Sequence, residues 1–521
     1  MNTFVAPAVD WAALTPILIV LGAAVLGVLL EAFVPRPARR AVQLVLSLLA
    51  TAAALVAVVW RWTVVEAEGP REIVGGALIE DGPTLAAQAI LALVGFLGLL
   101  VIADRTESGE GAFVAMAASR PGSPEEADST RAAWVQTEVF PLTMFALTGM
   151  LAFPAAGDLL TLFVALEVLS LPLYVLSGMA RRRRLLSQEA SLKYFLLGAF
   201  ASAFVIFGIA LLYGYSGTVR LSGLAQAVPA TVGMDWLLLG GSVLVIMGLL
   251  FKVGAVPFHA WTPDVYTGAP TPVTGFMAAA TKVAAFGALL RFVYVVVPDL
   301  GWDLAPFMWA VIILTMLVGT VLGIIQTDVK RMLAYSSIAH AGFVLIGVIS
   351  LRSQGISSVL FYLLAYGLAT VGAFALVTLV RERDTEGNVT GEATHLSQWA
   401  GLGRRSPAAA VAMVVFLLSF AGIPLTGGFI GKFAVFSAGV DGGAWVLVLL
   451  AVLASAATAF FYVRLVVLMF FTEPDGETTA VVASEGLTTV AVGVAVVGTV
   501  LLGVLPGPVL DLAAQAAVFL P

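Results

Sequence analysis

Apolar residues in this chain come in long unbroken stretches, and polar or charged residues collect in the gaps between them. The stretches lie at about 11–33, 41–62, 84–103, 135–154, 158–179, 190–213, 236–257, 270–297, 305–325, 331–351, 356–380, 407–440, 443–471 and 486–506. A helix needs roughly 20 apolar residues to cross about 30 Å of hydrocarbon, so the pattern predicts fourteen transmembrane helices, numbered here as spans 1 to 14. Strands of a membrane barrel would alternate apolar and polar residues in segments of about ten, which these runs do not. The expected fold is therefore an all-α polytopic membrane protein.

Composition agrees: over 521 residues the chain is 60% hydrophobic and 11% charged, with a mean hydropathy of +1.03. The leading segment MNTFVAPAVD carries no positive charge, which predicts a retained first helix rather than a cleaved signal peptide. With alternate threading, sixteen Lys and Arg residues fall in one set of loops, from Arg36, Arg39 and Arg40 through Arg181 to Arg184, Lys330 and Arg331 to Arg404 and Arg405. The other set holds four, Arg61, Arg71, Arg220 and Arg352. This asymmetry predicts that the first set lies in the cytoplasm and both termini outside.

The three longest cytoplasmic gaps, 104–134, 381–406 and 472–485, are too short to be catalytic domains, so any chemistry belongs in the membrane; the first reads as a mobile polar loop. With no cysteine, the chain lacks the ligands for an iron–sulfur cluster, and three histidines, with His395 in a polar loop, make a membrane haem unexpected. No cofactor and no metal are expected in this chain. The net charge of −6 singles out no partner, and the run RRRR at 181–184 reads as a topology anchor rather than a nucleic-acid site.

Two spans break in the same way. KVGAVPFHAWTP interrupts span 7 around Pro257, and FAGIPLTGGFIGKF interrupts span 12 around Pro424. Proline deletes a backbone hydrogen bond, which at bilayer depth is tolerable only beside protein or water. Two breaks five spans apart predict two inverted five-helix repeats, spans 4–8 and 9–13, with a pathway at mid-membrane. The corresponding divisions are 1–134, with three leading helices, 135–300, 301–472 and 473–521.

Cation usage sharpens the picture. Only five of the 26 basic residues are lysines, at 193, 252, 282, 330 and 432, and four of these five fall within expected spans. Arginine does not lose its proton in a protein, whereas a desolvated lysine can. An ammonium at a helix centre costs on the order of 2.5–3.5 kcal/mol, so these amines are expected to face protein and water rather than lipid. Glu167 lies mid-way along span 5, where a carboxylate needs a cation, and a Glu/Lys pair can take or release a proton.

Each candidate has a plainer alternative. Lys252 is near enough to a helix end to snorkel; Lys193 has Glu189 one turn away and can be a surface pair; His340 can be structural, with a hydroxyl partner such as Ser336. His259 reads as a cap at the mouth of span 7, while Arg291 and Arg464, each about six residues from a helix end, read as snorkelling residues. Glu167, Lys193, Lys252, Lys282, His340 and Lys432 remain as a row of buried protonatable groups suited to lateral proton transfer.

The stretches LEVLSLPLYVLSG, EASLKYFLLGAF, KVGAVPFHAWTPDVYTGAPTPVTGF, KRMLAYSSIAHAGF and GIPLTGGFIGKF resemble the antiporter-like subunits of respiratory complex I, the NADH:quinone oxidoreductase. The resemblance covers about 135–472. Lysines in spans 8 and 12, where sister branches have histidine or glutamate, and the lack of a long lateral C-terminal helix set the chain in one branch of that family. The resemblance implies that Glu167 and Lys252 form the charged pair of a first half-channel, with Lys193 as modulator. It likewise makes Lys282 the connecting lysine, His340 a polar link between the halves and Lys432 the end group of the second half-channel.

By the same resemblance the chain moves protons while NADH oxidation and quinone reduction take place in other subunits, so it would be an enzyme only as part of that complex. Its partners would be an adjacent antiporter-like subunit, small membrane subunits and the lipid bilayer, with no nucleic acid. Two other readings share the buried charges: a subunit of a multi-subunit cation/proton antiporter, and a structural membrane scaffold.

Overall fold

The computed structural model describes residues 9–106, 109–116, 118–120, 123–131, 135–231, 233–383, 389–473 and 479–520. Parts of the expected loops at 104–134, 381–406 and 472–485, and the start of the leading segment, lie outside the described residues.

Among the described residues twelve helices are long and apolar enough to cross a membrane: Thr15–Phe33, Arg36–Glu68, Gly82–Ala103, Leu159–Ser177, Arg184–Ser216, Asp235–Val253, Thr271–Val296, Gly301–Ile324, Val329–Val348, Ser353–Leu379, Trp445–Phe471 and Leu487–Val504. Each lies on one expected span. Two expected spans are met only by shorter apolar helices: span 4 is Val139–Ala155, and the start of span 12 is Pro407–Ala421. The architecture is that of a multi-pass helical membrane protein.

Thr271–Val296, Val329–Val348 and Ser353–Leu379 are all but enclosed by other helices and form the core. Helices such as Arg184–Ser216 and Trp445–Phe471 instead leave broad apolar faces uncovered, with Phe200, Phe207, Leu453 and Phe460 exposed. A helix keeps its backbone bonds to itself, so such a face can meet lipid at no hydrogen-bonding cost.

Short strands occur outside the spans, where an all-α chain was expected. Arg71–Ile73 pairs antiparallel with Leu78–Glu80, and Val380–Arg383 lies between Val389–Glu392 and Thr479–Val481. Nor is the described part of 104–134 loose: Val114 is buried and its N–H donates to Met179 O (3.0 Å), while Arg181 N–H donates to Ala112 O (2.9 Å). Backbone polar groups close to an apolar body need partners, and pairing between loops supplies them.

The breaks begin at glycine rather than at the expected prolines. The first half of span 7 ends at Val253, where Gly254 has φ +79°; its N–H donates to Leu250 O, as does that of Ala255. Span 12 repeats the arrangement: Pro407–Ala421 ends with Gly422 at φ +78°, whose N–H donates to Leu418 O, as does that of Ile423. Both turns are left-handed helix ends that glycine adopts without a Cβ penalty. The chain resumes as Trp261–Gly268 and as Gly427–Asp441.

Three arginines expected at the surface turn to protein partners instead, two of them buried. Arg291, expected to snorkel, is 1% exposed, donates to Asp81 Oδ1 (2.8 Å), Thr84 Oγ1 (2.6 Å) and Pro154 O (2.8 Å), and lies over the Phe519 ring. Arg61, counted as a loop charge, lies within Arg36–Glu68 and grips Glu80 with two bonds of 2.6 and 2.7 Å. Arg464 donates to Ile324 O (2.9 Å) and Gln326 O at the end of Gly301–Ile324. In each case an acid or a helix-end carbonyl is nearer than open solvent, and a charge-assisted bond outweighs a reach for water.

Candidate proton-transfer site

Each helix that stops inside the fold leaves carbonyls without the amide of a following turn. Lys282 and Lys432 take these up. Lys282 opens the helix Lys282–Val296, directly after a single π-helical turn at Met277–Thr281. Its ammonium donates to Val253 O (2.7 Å), the last carbonyl before the first break, and to Ser337 O (2.9 Å). Lys432, in the resumed half of span 12, donates to Phe420 O (2.8 Å) and Ala421 O (3.1 Å) before the second break and to Ser455 Oγ (2.7 Å). Both are buried, at 3% and 5% exposure, and Lys432 also lies 4.9 Å from the Phe343 ring centre. The carbonyls of Val253 and Ala421 stand at the same place in the two turns, each directly before the positive-φ glycine.

Lys252, the residue before Val253, takes up neither of the carbonyls freed at the first break. The carbonyls freed there go elsewhere: Val253 O to Lys282 and Phe251 O to Trp261 Nε1 (2.8 Å). Its ammonium, in a residue 2% exposed, lies 5.2 Å from the Tyr174 ring centre, 5.0 Å from Tyr194 and 5.7 Å from Phe251, with a 3.5 Å contact to Tyr174 Oη. Aromatic faces attract a desolvated cation by about 2 kcal/mol, comparable to one charge-assisted hydrogen bond and well short of the three that hold Lys432. Of these three lysines, Lys252 has the fewest polar partners in its charged form.

Glu167 sits mid-helix in Leu159–Ser177, half-buried, and accepts the hydroxyl of Ser202. No ion pair within 4.0 Å joins it to Lys252 among the described residues. Tyr174, two turns further along the helix of Glu167, is the side chain that meets Lys252.

Lys193 is not buried, its side chain being 42% exposed. Its ammonium is shared between Glu189 (2.6 Å) and Asp264 (2.7 Å), and Asp264 in turn holds Arg331 (3.1 Å). The pairing with Glu189 follows from helical spacing; Asp264 arrives from the far side of the first break.

His340 is 3% exposed and lies between two phenols, with Tyr362 Oη 2.6 Å from Nδ1 and Tyr462 Oη 3.1 Å from Nε2. Ser336, the expected partner, meets Tyr462 Oη instead (2.5 Å), so that phenol bridges the serine and the imidazole. Helical spacing set Ser336 one turn from His340; the intervening phenol comes from 122 residues away. His259, expected as a cap, is half-buried in the turn after Pro257, and His395 caps the short helical turn Leu396–Trp399.

The family described as NADH:quinone oxidoreductase/Mrp antiporter, transmembrane, matches residues 156–458, more than half of the chain. The chain is 66% identical to NADH-quinone oxidoreductase subunit N of Beutenbergia cavernae, with 99% of each chain covered. It belongs to the NADH-quinone oxidoreductase subunit N family. Subunit N of Rhodococcus opacus is 56% identical over 99% of this chain and 97% of its own. Among solved structures, a chain of respiratory complex I from Thermus thermophilus with bound aureothin is 33% identical, covering 96% of this chain and 99% of that one with a TM-score of 0.76. A chain of the Mrp complex from Dietzia sp. shares the fold, with a TM-score of 0.79 at 21% identity over 98% of this chain and 97% of that one.

Relative to this subunit N fold, the sequence reading missed Tyr174, Asp264, Lys330, Tyr362, Ser455 and Tyr462. Of these only Lys330 carried a signal, because lysine is so rare here, yet its position at the edge of an apolar run assigned it to a loop. The structure places it in the first turn of Val329–Val348 at 3% exposure.

Proposed function

We propose that this chain is a proton-translocating membrane-arm subunit of an NADH-quinone oxidoreductase. NADH oxidation and quinone reduction belong to other subunits of that complex, and neighbouring membrane subunits are its partners. Protons are relayed among Glu167, Lys193, Lys252, Lys282, His340 and Lys432, with water joining the groups that do not touch. The face carrying the arginine-rich loops is the cytoplasmic one, and the chain contains two inverted repeats, spans 4–8 and 9–13.

One observation supports this reading above the others: both helix breaks begin in the same glycine turn, and in both a lysine ammonium takes up the freed carbonyl. A lysine held by neutral carbonyls has no fixed counter-charge, so losing its proton strands no carboxylate. Moving one charge through 100 mV requires about 2.3 kcal/mol, the size of one or two charge-assisted hydrogen bonds. Rearranging the partners of a single amine is therefore sufficient to move a proton against the membrane potential.

The likeness to the Mrp complex at 21% identity concerns the fold alone and does not favour the antiporter reading. The test is proton pumping per electron in membrane vesicles for Lys252→Ala, Lys282→Ala and Lys432→Ala, with assembly checked on native gels. Loss of pumping in assembled complexes is expected; undiminished pumping in all three would leave only a structural scaffold.

A further inference from the structure

Lys330 repeats the motif of the two breaks at a third helix end. Its ammonium donates to Ala269 O (2.9 Å), the residue that closes the helix Trp261–Gly268, just before Pro270. Unlike Lys282 and Lys432, it also has an acid at hand: Glu392 Oε2 lies 3.8 Å away, on the edge strand Val389–Glu392. The same carboxylate oxygen accepts the hydroxyl of Thr271 (2.5 Å), the first residue of the span that carries Lys282.

Lys330 and Glu392 line a cavity of about 70 Å³ on the arginine-rich face. A water molecule needs roughly 10–15 Å³ of such space, so several fit. The arginines of the lining have partners of their own: Arg181 and Arg182 meet Glu110, Arg183 meets Thr394 Oγ1, and Arg381 Nε donates to Thr378 O. Asp328, on the same helix as Lys330, accepts from the Arg331 N–H as the helix cap. Glu392 is thus the carboxylate that faces Lys330, and Thr271, the first residue of the span of Lys282, lines the same cavity beside them.

We propose that Lys330 and Glu392 form a proton-exchange site through which this chain trades protons with water on the arginine-rich face. A hydronium ion in the cavity gives its proton to Glu392 Oε2, an O–H bond breaking in the ion as one forms on the carboxylate. The proton then passes to the free amine of Lys330, restoring the carboxylate and leaving an ammonium; the reverse sequence releases it. This inference rests on the proton-translocating reading and adds to it the site of exchange with bulk water.

The experiment uses the whole complex in vesicles, comparing Lys330→Arg, Lys330→Met, Glu392→Gln and Lys252→Ala for complex content and for proton pumping per electron from pH 6 to 8. Arginine keeps the charge and a donor for Ala269 O but does not release its proton. Glutamine keeps an acceptor for Thr271 but not the acid. Loss of pumping in Lys330→Arg and Glu392→Gln, at wild-type complex content, is the expected result. Should Lys330→Arg and Glu392→Gln pump like the wild type while Lys252→Ala does not, the pair is structural and the inference is overturned, with the functional reading intact. Should Lys252→Ala, and with it Lys282→Ala and Lys432→Ala, pump normally as well, the functional reading itself is lost.

Discussion

Adding one methyl group at Gly422 perturbs Lys432 without replacing a titratable group. A Cβ built there lies 2.8 Å from Lys432 Cδ and 3.4 Å from Nζ. Carbon atoms pack at about 3.5–4.0 Å, so the side chain must retreat by roughly 0.7–1.2 Å. Its bonds of 2.7–3.1 Å to Phe420 O, Ala421 O and Ser455 Oγ cannot all follow within hydrogen-bonding range. Losing one charge-assisted bond costs about 1.5–3 kcal/mol, and forcing alanine to a left-handed φ adds about 1–2.

Gly254 is the matched control, because it has the same backbone conformation at φ +79°. There the Cβ meets Thr262 Oγ1 at 2.9 Å, while Lys282 Nζ stays 4.0 Å away, an ordinary contact. Gly254→Ala should therefore cost the backbone share and a shift of the Thr262 hydroxyl, but leave the Lys282 ammonium seated. The difference of about 1.5–3 kcal/mol is a factor of roughly 10–100 in the population of correctly seated ammonium. NADH-driven proton uptake by inverted vesicles, divided by NADH oxidation and by complex content, should fall much further in Gly422→Ala than in Gly254→Ala. Equal pumping by the two variants would refute the claim that the seating of Lys432 on these carbonyls matters.

Two further predictions concern groups that no local pattern revealed. Tyr462→Phe removes the phenol joining Ser336 to His340, and should slow pumping per electron while leaving assembly intact; unchanged pumping would make that phenol mere packing. In the buried Asp81–Arg291 pair, breaking one side costs about 3–5 kcal/mol, but the two sides are not equivalent. Asp81 also accepts from Thr84 N, Thr84 Oγ1 and Leu520 N, whereas Arg291 Nη1 already lacks a partner. Asp81→Asn should therefore lower the thermal inactivation temperature more than Arg291→Met, and the opposite order would show that the acid, not the guanidinium, is the harder group to strand.

Helix positions were legible because a bilayer imposes one length and one polarity on whatever crosses it. Each of the twelve long helices falls on an apolar run visible in the chain, and the breaks were signalled by their glycines and prolines, although glycine rather than proline ends each helix. The scarcity of lysine pointed to Lys252, Lys282 and Lys432 as buried groups, which they are. The same reasoning failed for Lys193, which pairs at the surface with two acids, and for Arg291, which has an acid beside it that lies 210 residues away.

By itself, then, the amino-acid order determined which segments are long apolar helices, which two of them are broken, and that the amines of Lys252, Lys282 and Lys432 are kept inside. Tertiary structure alone decided what each amine touches: Lys282 reaches Val253 and Ser337 from 29 and 55 residues away, while Lys252 is left to aromatic rings. Hydropathy and backbone conformation act within one helix and repeat along it, so they can be read from neighbours in the chain. A hydrogen bond depends on a separation of about 3 Å between atoms of different helices, and only the packing of those helices sets that distance.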